Sequence, residues 1–423
     1  MSLSRRTFIK GTAAAALMAD LAFVREATAA KVVERAQVQP NRLAMGFSKD
    51  DYSLDPSVLY LNHGSIGTVP NIVLDAHMGY LRLCETNPWL YMWSAPWVAP
   101  VENIRGKAAR LMGCDPGEMV LNHNTTELFN LLANGLPLGS GDEVLYSSLN
   151  HMSASTCWHN LAPRRGFSVR DFHFPISDCP SLTAAEIVSR YEAAIGPKTR
   201  VLILPHVDNT VGILHPLKEI AQMAHERGVQ WVVVDGAQVV GMVPVDMHSS
   251  GVDAYATSAH KWIQSPKGLG LGYLKRSLQA DLDPMWVKHT YDGDTTTVQK
   301  YEDYSTRALP ALMALGDALD FHAQVSMGDR VRHHHQLWTA LQKIVANNSM
   351  LEWRSPTTWD ISSAIYSIEV LGETSGSVST RIYEEYQMVV RPFSTPELNA
   401  LRVSPNLMNN VSDLERFAEA LTG

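Results

Sequence analysis

Short apolar segments alternate with longer helical patterns through the first half of the chain. A strand pattern covers residues 119–122, 142–147, 168–172, 200–204 and 230–235, and a helical pattern separates each from the next. A helix between consecutive strands brings them side by side in the same direction. The alternation therefore predicts an α/β fold with a mostly parallel central sheet. In such sheets the functional residues gather at the carboxyl ends of the strands.

Two of the predicted strands lead to side chains of opposite charge, an aspartate and a lysine. The strand at 230–235 ends in Asp235, and a further strand at 253–257 leads into Lys261. An ammonium group at the exit of a buried strand loses hydration, and such a lysine can condense with an aldehyde as a Schiff base. Pyridoxal phosphate (PLP) needs such a lysine and a carboxylate for its ring nitrogen. The alternatives are a helix-capping Asp235, a surface Lys261, and Lys267 as a rival Schiff-base lysine.

The residues around this pair carry a family resemblance. The sequences Asp235-Gly-Ala-Gln238 and Ser258-Ala-His-Lys261, in this order and spacing, are similar to motifs of fold-type-I PLP enzymes, in particular the class V aminotransferase family. That family includes cysteine desulfurases and isopenicillin-N epimerase-like proteins, and the resemblance extends over residues 60–423. It implies PLP as cofactor, catalytic roles for Lys261 and Asp235, and cofactor contacts from Gln238, Ser258 and His260.

Polar residues after three other strands complete the predicted cofactor site. Thr125 and Thr126 begin a helix directly after a strand, which suits the cofactor phosphate; the alternative is an ordinary helix cap. The resemblance implies that His151 stacks on the cofactor ring and shuttles protons, the alternative being a core histidine. It also implies that Asn209 lies near the phenolic oxygen of the cofactor and the substrate.

The predicted substrate contacts come from the two ends of the chain. Arg402, in Leu401-Arg-Val-Ser404, matches the family arginine that binds the substrate α-carboxylate, a contact that suits a planar guanidinium. The alternative is a structural ion pair. Arg391 is a second candidate for substrate or cofactor binding. Asn62 and His63 match a loop near the family's active site, although such residues also cap turns.

A homodimer is predicted from the run Tyr304-Ser-Thr-Arg307. It resembles the family's glycine–threonine turn, which implies that Thr306 reaches the PLP phosphate of the partner subunit. Ser305 stands where glycine is usual, and the alternative is a plain helix cap. Further along, His333-His-His335 is interpreted as a solvated helix face rather than a metal site, because consecutive helical residues point in different directions.

The first thirty residues are predicted to be a twin-arginine export signal. Arg5 and Arg6 precede an apolar run, and small residues at 27–30 offer a cleavage site. We therefore expect recognition by the twin-arginine export machinery and a periplasmic mature protein; the alternative is an amphipathic helix with a chance arginine pair. After the signal at 1–30, we expect an arm at 31–58, a large PLP-binding domain at 59–298 and a small α+β domain at 299–423. The net charge of −8 argues against nucleic-acid binding.

The cysteines narrow the predicted chemistry. Their spacing, at Cys84, Cys114, Cys157 and Cys179, fits no zinc pattern, and no metal site is predicted. Cysteine desulfurases carry a nucleophilic cysteine in the C-terminal domain, where this chain has none. Together with the leader, this resembles the exported siderophore-tailoring branch of the family. The resemblance implies a siderophore-peptide substrate, the glutamyl side chain of pyoverdine, converted to succinamide by decarboxylation and oxidation. The alternatives are an epimerase-like racemase, an aminotransferase, and a non-catalytic binding protein on the same fold.

Overall fold

The computed structural model describes residues 46–93, 98–287 and 297–423. The predicted signal at 1–30 and residues 31–45 of the predicted arm lie outside these residues. The described helices are α1 (Asn71–Thr86), α2 (Pro88–Trp93), α3 (Val98–Met112), α4 (Thr125–Gly135), α5 (Met152–Arg165), α6 (Ala184–Ala194), α7 (Leu217–Glu226), α8 (Met247–Ser250), α9 (Arg276–Gln279), α10 (Leu309–Ala323), α11 (Met327–Ala346), α12 (Ser375–Tyr386) and α13 (Val411–Thr422). None of the described helices is long and apolar enough to span a membrane.

The described strands form one large sheet and two smaller ones. They are β1 (Leu59–Tyr60), β2 (Met119–Asn122), β3 (Glu143–Ser147), β4 (Ser168–Phe172), β5 (Thr199–Pro205), β6 (Trp231–Asp235), β7 (Ala254–Ser258), β8 (Gly270–Leu274), β9 (Leu351–Trp353), β10 (Tyr366–Val370), β11 (Met388–Val389), β12 (Arg391–Thr395) and β13 (Leu398–Val403). The large sheet has the order β2-β8-β7-β6-β5-β3-β4.

The large sheet is mostly parallel, as the sequence predicts. Strands β4, β3, β5, β6 and β7 run in one direction, and β8 is antiparallel to both of its neighbours, β7 and β2. Consequently β2 also runs with the parallel strands. The carboxyl ends of β2, β3, β5, β6 and β7 therefore meet at one edge of the sheet.

Both faces of this sheet are buried. Along β6, Val232 and Val234 pack into one hydrophobic core while Val233 packs into the other. Successive side chains of a strand point to opposite faces, so a strand buried on both sides reads as the continuous apolar run found here. Helices cover both faces and hold the strand ends in place.

The C-terminal part contains an antiparallel sheet in the order β12-β13-β10-β9. Two elements differ from the predicted domain boundaries. Strand β1, predicted to open the large domain, pairs with β11, and Leu59 packs in the C-terminal core. Helix α10, predicted to lie in the small domain, contributes Leu312 and Leu315 to the core beneath the large sheet. Strand β1 thus belongs to the C-terminal part, and helix α10 belongs to the part that contains the large sheet.

The histidine run in α11 is only partly a solvated face: His335 is exposed as predicted, whereas His334 is buried. His334 is 1% exposed, and its ring lies edge-on to Trp262 with ring centroids 5.8 Å apart. Burial lowers the pKa of His334 well below its usual value, so the ring is neutral. For His334 the prediction was wrong because α11 packs on both parts of the molecule, which buries a position that would be exposed on a helix covering one sheet.

Candidate active site

A cavity of about 170 Å³ opens at the edge where the five strands end. Nine of the predicted site residues line it together: Thr125, Thr126, His151, Asn209, Asp235, Gln238, Ser258, His260 and Lys261. Sequence reasoning had not singled out six other lining residues: Asn124, Leu149, Ser153, Pro205, Val207 and Ala237. These six adjoin predicted residues or follow a predicted strand end, which is the signal that could have found them.

Asp235 and Lys261 form the charged centre of the cavity. Asp235 ends β6 and accepts a hydrogen bond from the Ala237 backbone N–H at 3.0 Å. Burial raises the pKa of Asp235. Burial likewise lowers the pKa of Lys261 to about 8, although the negative charge of Asp235 acts in the opposite direction. Lys261 forms no ion pair within the described residues, so its amine is free to react.

The turn that carries Lys261 is fixed by the loop of residues 62–67. The Gly67 N–H donates to the His260 carbonyl at 3.0 Å. A Cβ atom at Gly67 would lie 1.9 Å from the Lys261 carbonyl oxygen, so only glycine allows this approach. The rival lysine, Lys267, lies outside the cavity and donates to the Gly67 carbonyl.

Hydroxyl groups line one end of the cavity, at the start of α4. Asn124 caps this helix by accepting a hydrogen bond from the Glu127 N–H. The Thr125 and Ser258 hydroxyls are hydrogen-bonded at 2.8 Å, joining the helix to the end of β7. Thr126 is exposed in the first turn. A helix N-terminus with three hydroxyls favours an anion here.

Two histidines face the cavity in their neutral forms. His151 Nδ1 accepts a hydrogen bond from the Ser153 N–H at 3.2 Å, which directs Nε2 away from α5. Burial is the largest cause of its lowered pKa. His260 Nδ1–H donates to the Leu269 carbonyl at 3.0 Å, and burial lowers the pKa of this ring too.

Gln238 links the cavity to its surroundings. Its amide nitrogen donates to the Gly64 carbonyl at 2.8 Å, and its oxygen accepts from the Trp262 indole at 3.1 Å. One amide N–H is left to face the cavity. Behind Asp235, the Tyr255 ring lies so close to Gly236 that a Cβ there would be 1.9 Å away. The Asp235-Gly-Ala-Gln238 motif is therefore constrained on both sides.

Arg402 reaches toward the cavity from β13. Its Nη1 donates to the Asn209 carbonyl at 2.9 Å, and its Nη2 donates to Asn62 Oδ1 at 2.8 Å. Asn209 itself lines the cavity. The structure thus brings the predicted Arg402, Asn62 and Asn209 together. Arg402 forms no ion pair within the described residues. The alternative interpretation, in which Arg402 forms a structural ion pair, is therefore not supported.

His63 lies apart from these groups. It is fully buried, and its ring nitrogens contact the Ser404 carbonyl at 3.2 Å and the Thr68 hydroxyl at 3.3 Å. Burial lowers its pKa to about 3. The predicted substrate contact by His63 therefore needs correction: the side chain turns into the core and connects the 62–67 loop to β13.

The turn that carries Asn209 depends on a buried carboxylate. Asp208, fully buried, accepts hydrogen bonds from the backbone N–H groups of Thr210, Val211 and Ile213 at 2.6–2.8 Å. These bonds fix the chain where it leaves β5. Sequence reasoning missed Asp208 because an aspartate in a loop has many roles.

The predicted dimer turn adopts a glycine-like backbone. Ser305 has a φ of 79°, in the left-handed region that glycine favours, so the turn keeps its shape without the usual glycine. Thr306 is exposed and does not line the cavity of its own chain. Arg307 anchors the turn by donating to Glu302 at 2.8 Å and to the Leu121 carbonyl at 2.9 Å.

Comparison with known proteins decides the family, because the aminotransferase class V model matches residues 59–392. The chain belongs to the class V aminotransferase family. Isopenicillin N epimerase from Streptomyces clavuligerus is 28% identical over 384 residues, covering 87% of this chain and 95% of the relative. A probable cysteine desulfurase from Halobacterium salinarum is 30% identical over 356 residues, covering 79% of this chain and 81% of the relative.

Solved structures share the fold. A C-DES variant with glycine covalently linked to its PLP cofactor has a TM-score of 0.77 at 21% identity, covering 88% of this chain and 98% of that chain. The solved structure confirms the predicted fold, and membership of the class V family confirms PLP as the cofactor.

The residues of this class V enzyme fit PLP. Asp235 is buried without a fixed cationic partner, and its second carboxylate oxygen carries no hydrogen bond within the described residues. A protonated ring nitrogen would supply that partner. The hydroxyls of Thr125, Thr126 and Ser258 would hold the phosphate at the other end, and Lys261 would hold the aldehyde carbon between them.

A group of possible metal ligands lies outside the cavity. Atoms of Asp115, Glu118 and His248 lie within 4.8 Å of one another. Glu118 already accepts from His248 at 2.9 Å and from the Arg276 backbone N–H at 3.0 Å. These hydrogen bonds give Glu118 a structural role without a metal ion.

Proposed function

We propose that this class V enzyme acts at the Cα atom of an amino acid group whose α-carboxylate is free, and that it uses no thiol nucleophile. The observation that carries the proposal is the position of Arg402. This buried guanidinium has no carboxylate partner within the described residues. It donates a hydrogen bond to the Asn209 carbonyl, and Asn209 lines the same cavity as Lys261.

The residues of this chain have distinct tasks in such chemistry. Bound PLP withdraws electrons from Cα and so allows one of its bonds to break. Asp235 would keep the ring nitrogen protonated, because a buried carboxylate is stabilised by a cation beside it. Arg402 would hold the substrate carboxylate and so orient the bonds at Cα. Lys261 and His151, one buried amine and one neutral imidazole, can each hold or move a proton near Cα.

The thiols of the described chain do not support persulfide chemistry. None of the four cysteines lines the cavity, and three of them are buried. Burial raises the pKa of Cys84 to about 11 and that of Cys157 to about 12. Burial and nearby carboxylates also raise the pKa of Cys114 to about 12. Thiols protonated at neutral pH are poor nucleophiles.

We further propose that the substrate is the glutamyl side chain of pyoverdine, which keeps its α-amino and α-carboxylate groups. Three features support this choice: the twin-arginine pattern, the missing desulfurase cysteine, and an Arg402 guanidinium with no carboxylate partner within the described residues. Conversion to succinamide removes the carboxylate as CO₂ and oxidises Cα to an amide that retains the nitrogen. Dioxygen is the oxidant: one of its atoms enters the amide and the other leaves as water.

Epimerisation is the second candidate function. It is favoured by the isopenicillin N epimerase of Streptomyces clavuligerus, since the match covers 95% of that relative. An epimerase removes and returns the Cα proton, consumes no dioxygen and leaves the mass of its substrate unchanged. Chiral analysis of the product therefore separates the two candidates.

The proposal includes a homodimeric assembly and a periplasmic location for the mature protein. A homodimer in which Thr306 contacts the partner's cofactor is supported by the exposed turn at Ser305 and Thr306. Sedimentation of the purified protein tests it, and a monomer at working concentration would contradict it. Export to the periplasm is supported by the leader pattern alone.

The experiment for the substrate uses purified holoenzyme, pyoverdine precursor and ¹⁸O-labelled dioxygen. We expect a succinamide product carrying one labelled oxygen, with no conversion by Lys261→Ala. Lys218→Ala is the matched control and should convert normally, because Lys218 is exposed on α7 and lies outside the cavity.

A further inference from the structure

Neutral oxygen atoms accept hydrogen bonds from both terminal nitrogens of the Arg402 guanidinium. Besides the Asn209 carbonyl on Nη1 and Asn62 Oδ1 on Nη2, the Ser65 hydroxyl accepts from Nη2 at 2.6 Å. Nε is buried and has no hydrogen-bond partner within the described residues. Arg402 is only 2% exposed, so water cannot easily reach this nitrogen. A buried donor without an acceptor costs free energy, and an acceptor brought by a ligand would recover it.

The geometry of a guanidinium limits how a carboxylate can bind it. A bidentate carboxylate uses two parallel N–H groups, either Nε with Nη2 or Nη1 with Nη2. Both hydrogens of Nη2 are engaged, by Asn62 and Ser65. A carboxylate that accepts from the unpartnered Nε must therefore replace one of these two oxygens.

Ser65 is the partner that can leave. The backbone of Asn62 is held by a bridge to Ser404, and its carbonyl accepts from the Ser65 and Ile66 N–H groups. Ser65 is half-buried beside Ile66, which is 42% exposed. A serine hydroxyl can rotate among three staggered positions without moving the backbone.

Charge favours this exchange. Arg391 lies directly opposite Arg402 in the β12–β13 pair, and no carboxylate contacts either guanidinium within the described residues. Hydrogen bonds from a guanidinium to a carboxylate are roughly twice as strong as those to a neutral oxygen. A carboxylate can therefore displace the hydroxyl, whereas a neutral amide cannot.

We propose that Ser65 is a positioning residue that holds Arg402 at rest and yields Nη2 to the substrate α-carboxylate. This inference rests on the proposed function, in which Arg402 binds that carboxylate. Ser65 thereby discriminates between ligands: a carboxylate displaces the Ser65 hydroxyl from Nη2, and a neutral isostere does not.

The test measures binding of butyrate to the holoenzyme by calorimetry, with butyramide as the neutral isostere. Ser65→Ala removes the competing hydroxyl, so the Kd for butyrate should fall about three- to tenfold, the effect of one modest hydrogen bond. Ser65→Thr keeps the hydroxyl and should stay within about twofold of wild type. Butyramide cannot displace the hydroxyl, so it should bind more tightly to Ser65→Ala, where Nη2 is open to its carbonyl, and should bind Ser65→Thr as weakly as wild type. An unchanged or higher Kd for butyrate in Ser65→Ala would overturn the proposal.

Two further measurements separate the possible failures. In the NMR spectrum of the wild type, butyrate should shift the Arg402 Nε–H resonance downfield, because this proton gains an acceptor; an unmoved resonance counts against the exchange. If Arg402→Ala binds butyrate as tightly as wild type does, the carboxylate role of Arg402 fails, and the proposed function fails with it. If binding depends on Arg402 but not on Ser65, only the present inference fails.

Discussion

Arg391 and Arg402 are directly paired across the antiparallel strands β12 and β13. Both guanidinium groups lie near the Phe393 ring, at 5.3 and 5.8 Å from its centroid. Burial first, and then the charge of Arg391, lower the pKa of Arg402 to about 9. The two arginines also contribute to the lowered pKa of Lys261. The hairpin therefore affects the reactivity of the lysine, and in the proposed function it also binds the substrate.

The rate at which the apoprotein takes up PLP should rise with pH through about 8, the pKa of Lys261. Only the neutral amine attacks the aldehyde, so uptake is slow below this pH and fast above it. Arg391→Gln removes a positive charge, raises the pKa of Lys261 and should move the midpoint to higher pH. Stopped-flow absorbance measures the rate.

The control for this experiment is Arg332→Gln, because Arg332 is exposed on α11 and pairs with Asp329. It should leave the midpoint unchanged. A wild-type midpoint near 10.5, the ordinary lysine value, would show that burial does not activate Lys261.

Lys261 should be the residue that carries PLP. Borohydride reduction of the holoenzyme followed by peptide mapping should place the cofactor on Lys261, and Lys261→Ala should have no turnover. Cofactor found on Lys267 instead would refute the assignment.

Asp235→Asn should lower the turnover rate by about a hundredfold or more, as for the loss of one preorganised electrostatic partner. Asparagine keeps the shape of the side chain but cannot stabilise a protonated ring nitrogen. Steady-state kinetics measure the loss, and the retained absorption band shows that the cofactor is still bound. Near-normal turnover would rule out this role.

The double change Arg5→Lys and Arg6→Lys should retain the protein in the cytoplasm with its PLP spectrum intact. The twin-arginine machinery reads the arginine pair, whereas the fold lies downstream of it. Cell fractionation with immunoblotting measures the location. Normal export of the double variant would contradict the predicted pathway.

Much of the cofactor site could be predicted because its residues follow strand ends that the sequence makes visible. The apolar run of β6 ends at Asp235, and β7 leads to Lys261, so their meeting at one edge follows from parallel strands. Arg402 required the family resemblance, because nothing local to β13 shows which distant loop it contacts.

Other features depend on contacts that no sequence pattern displays. His63 looks like a polar loop residue, yet its ring fills a space between the 62–67 loop and β13. His334 lies on a face that is buried only because α11 contacts both parts of the molecule. Ser305 adopts a φ of 79° because Arg307 and Glu302 fix the turn around it. Long-range packing decides each case.

The mass of the product formed from pyoverdine precursor by the purified holoenzyme tests the central claim most directly. The proposed chemistry predicts a product that has lost one carbon as CO₂ and gained one oxygen atom from ¹⁸O-labelled dioxygen. It also predicts that Arg402→Ala loses most of this activity, through a higher KM and a lower kcat, because one contact both binds the substrate and orients the bond that breaks. A precursor of unchanged mass with an inverted Cα would contradict the tailoring reaction and establish the epimerase alternative.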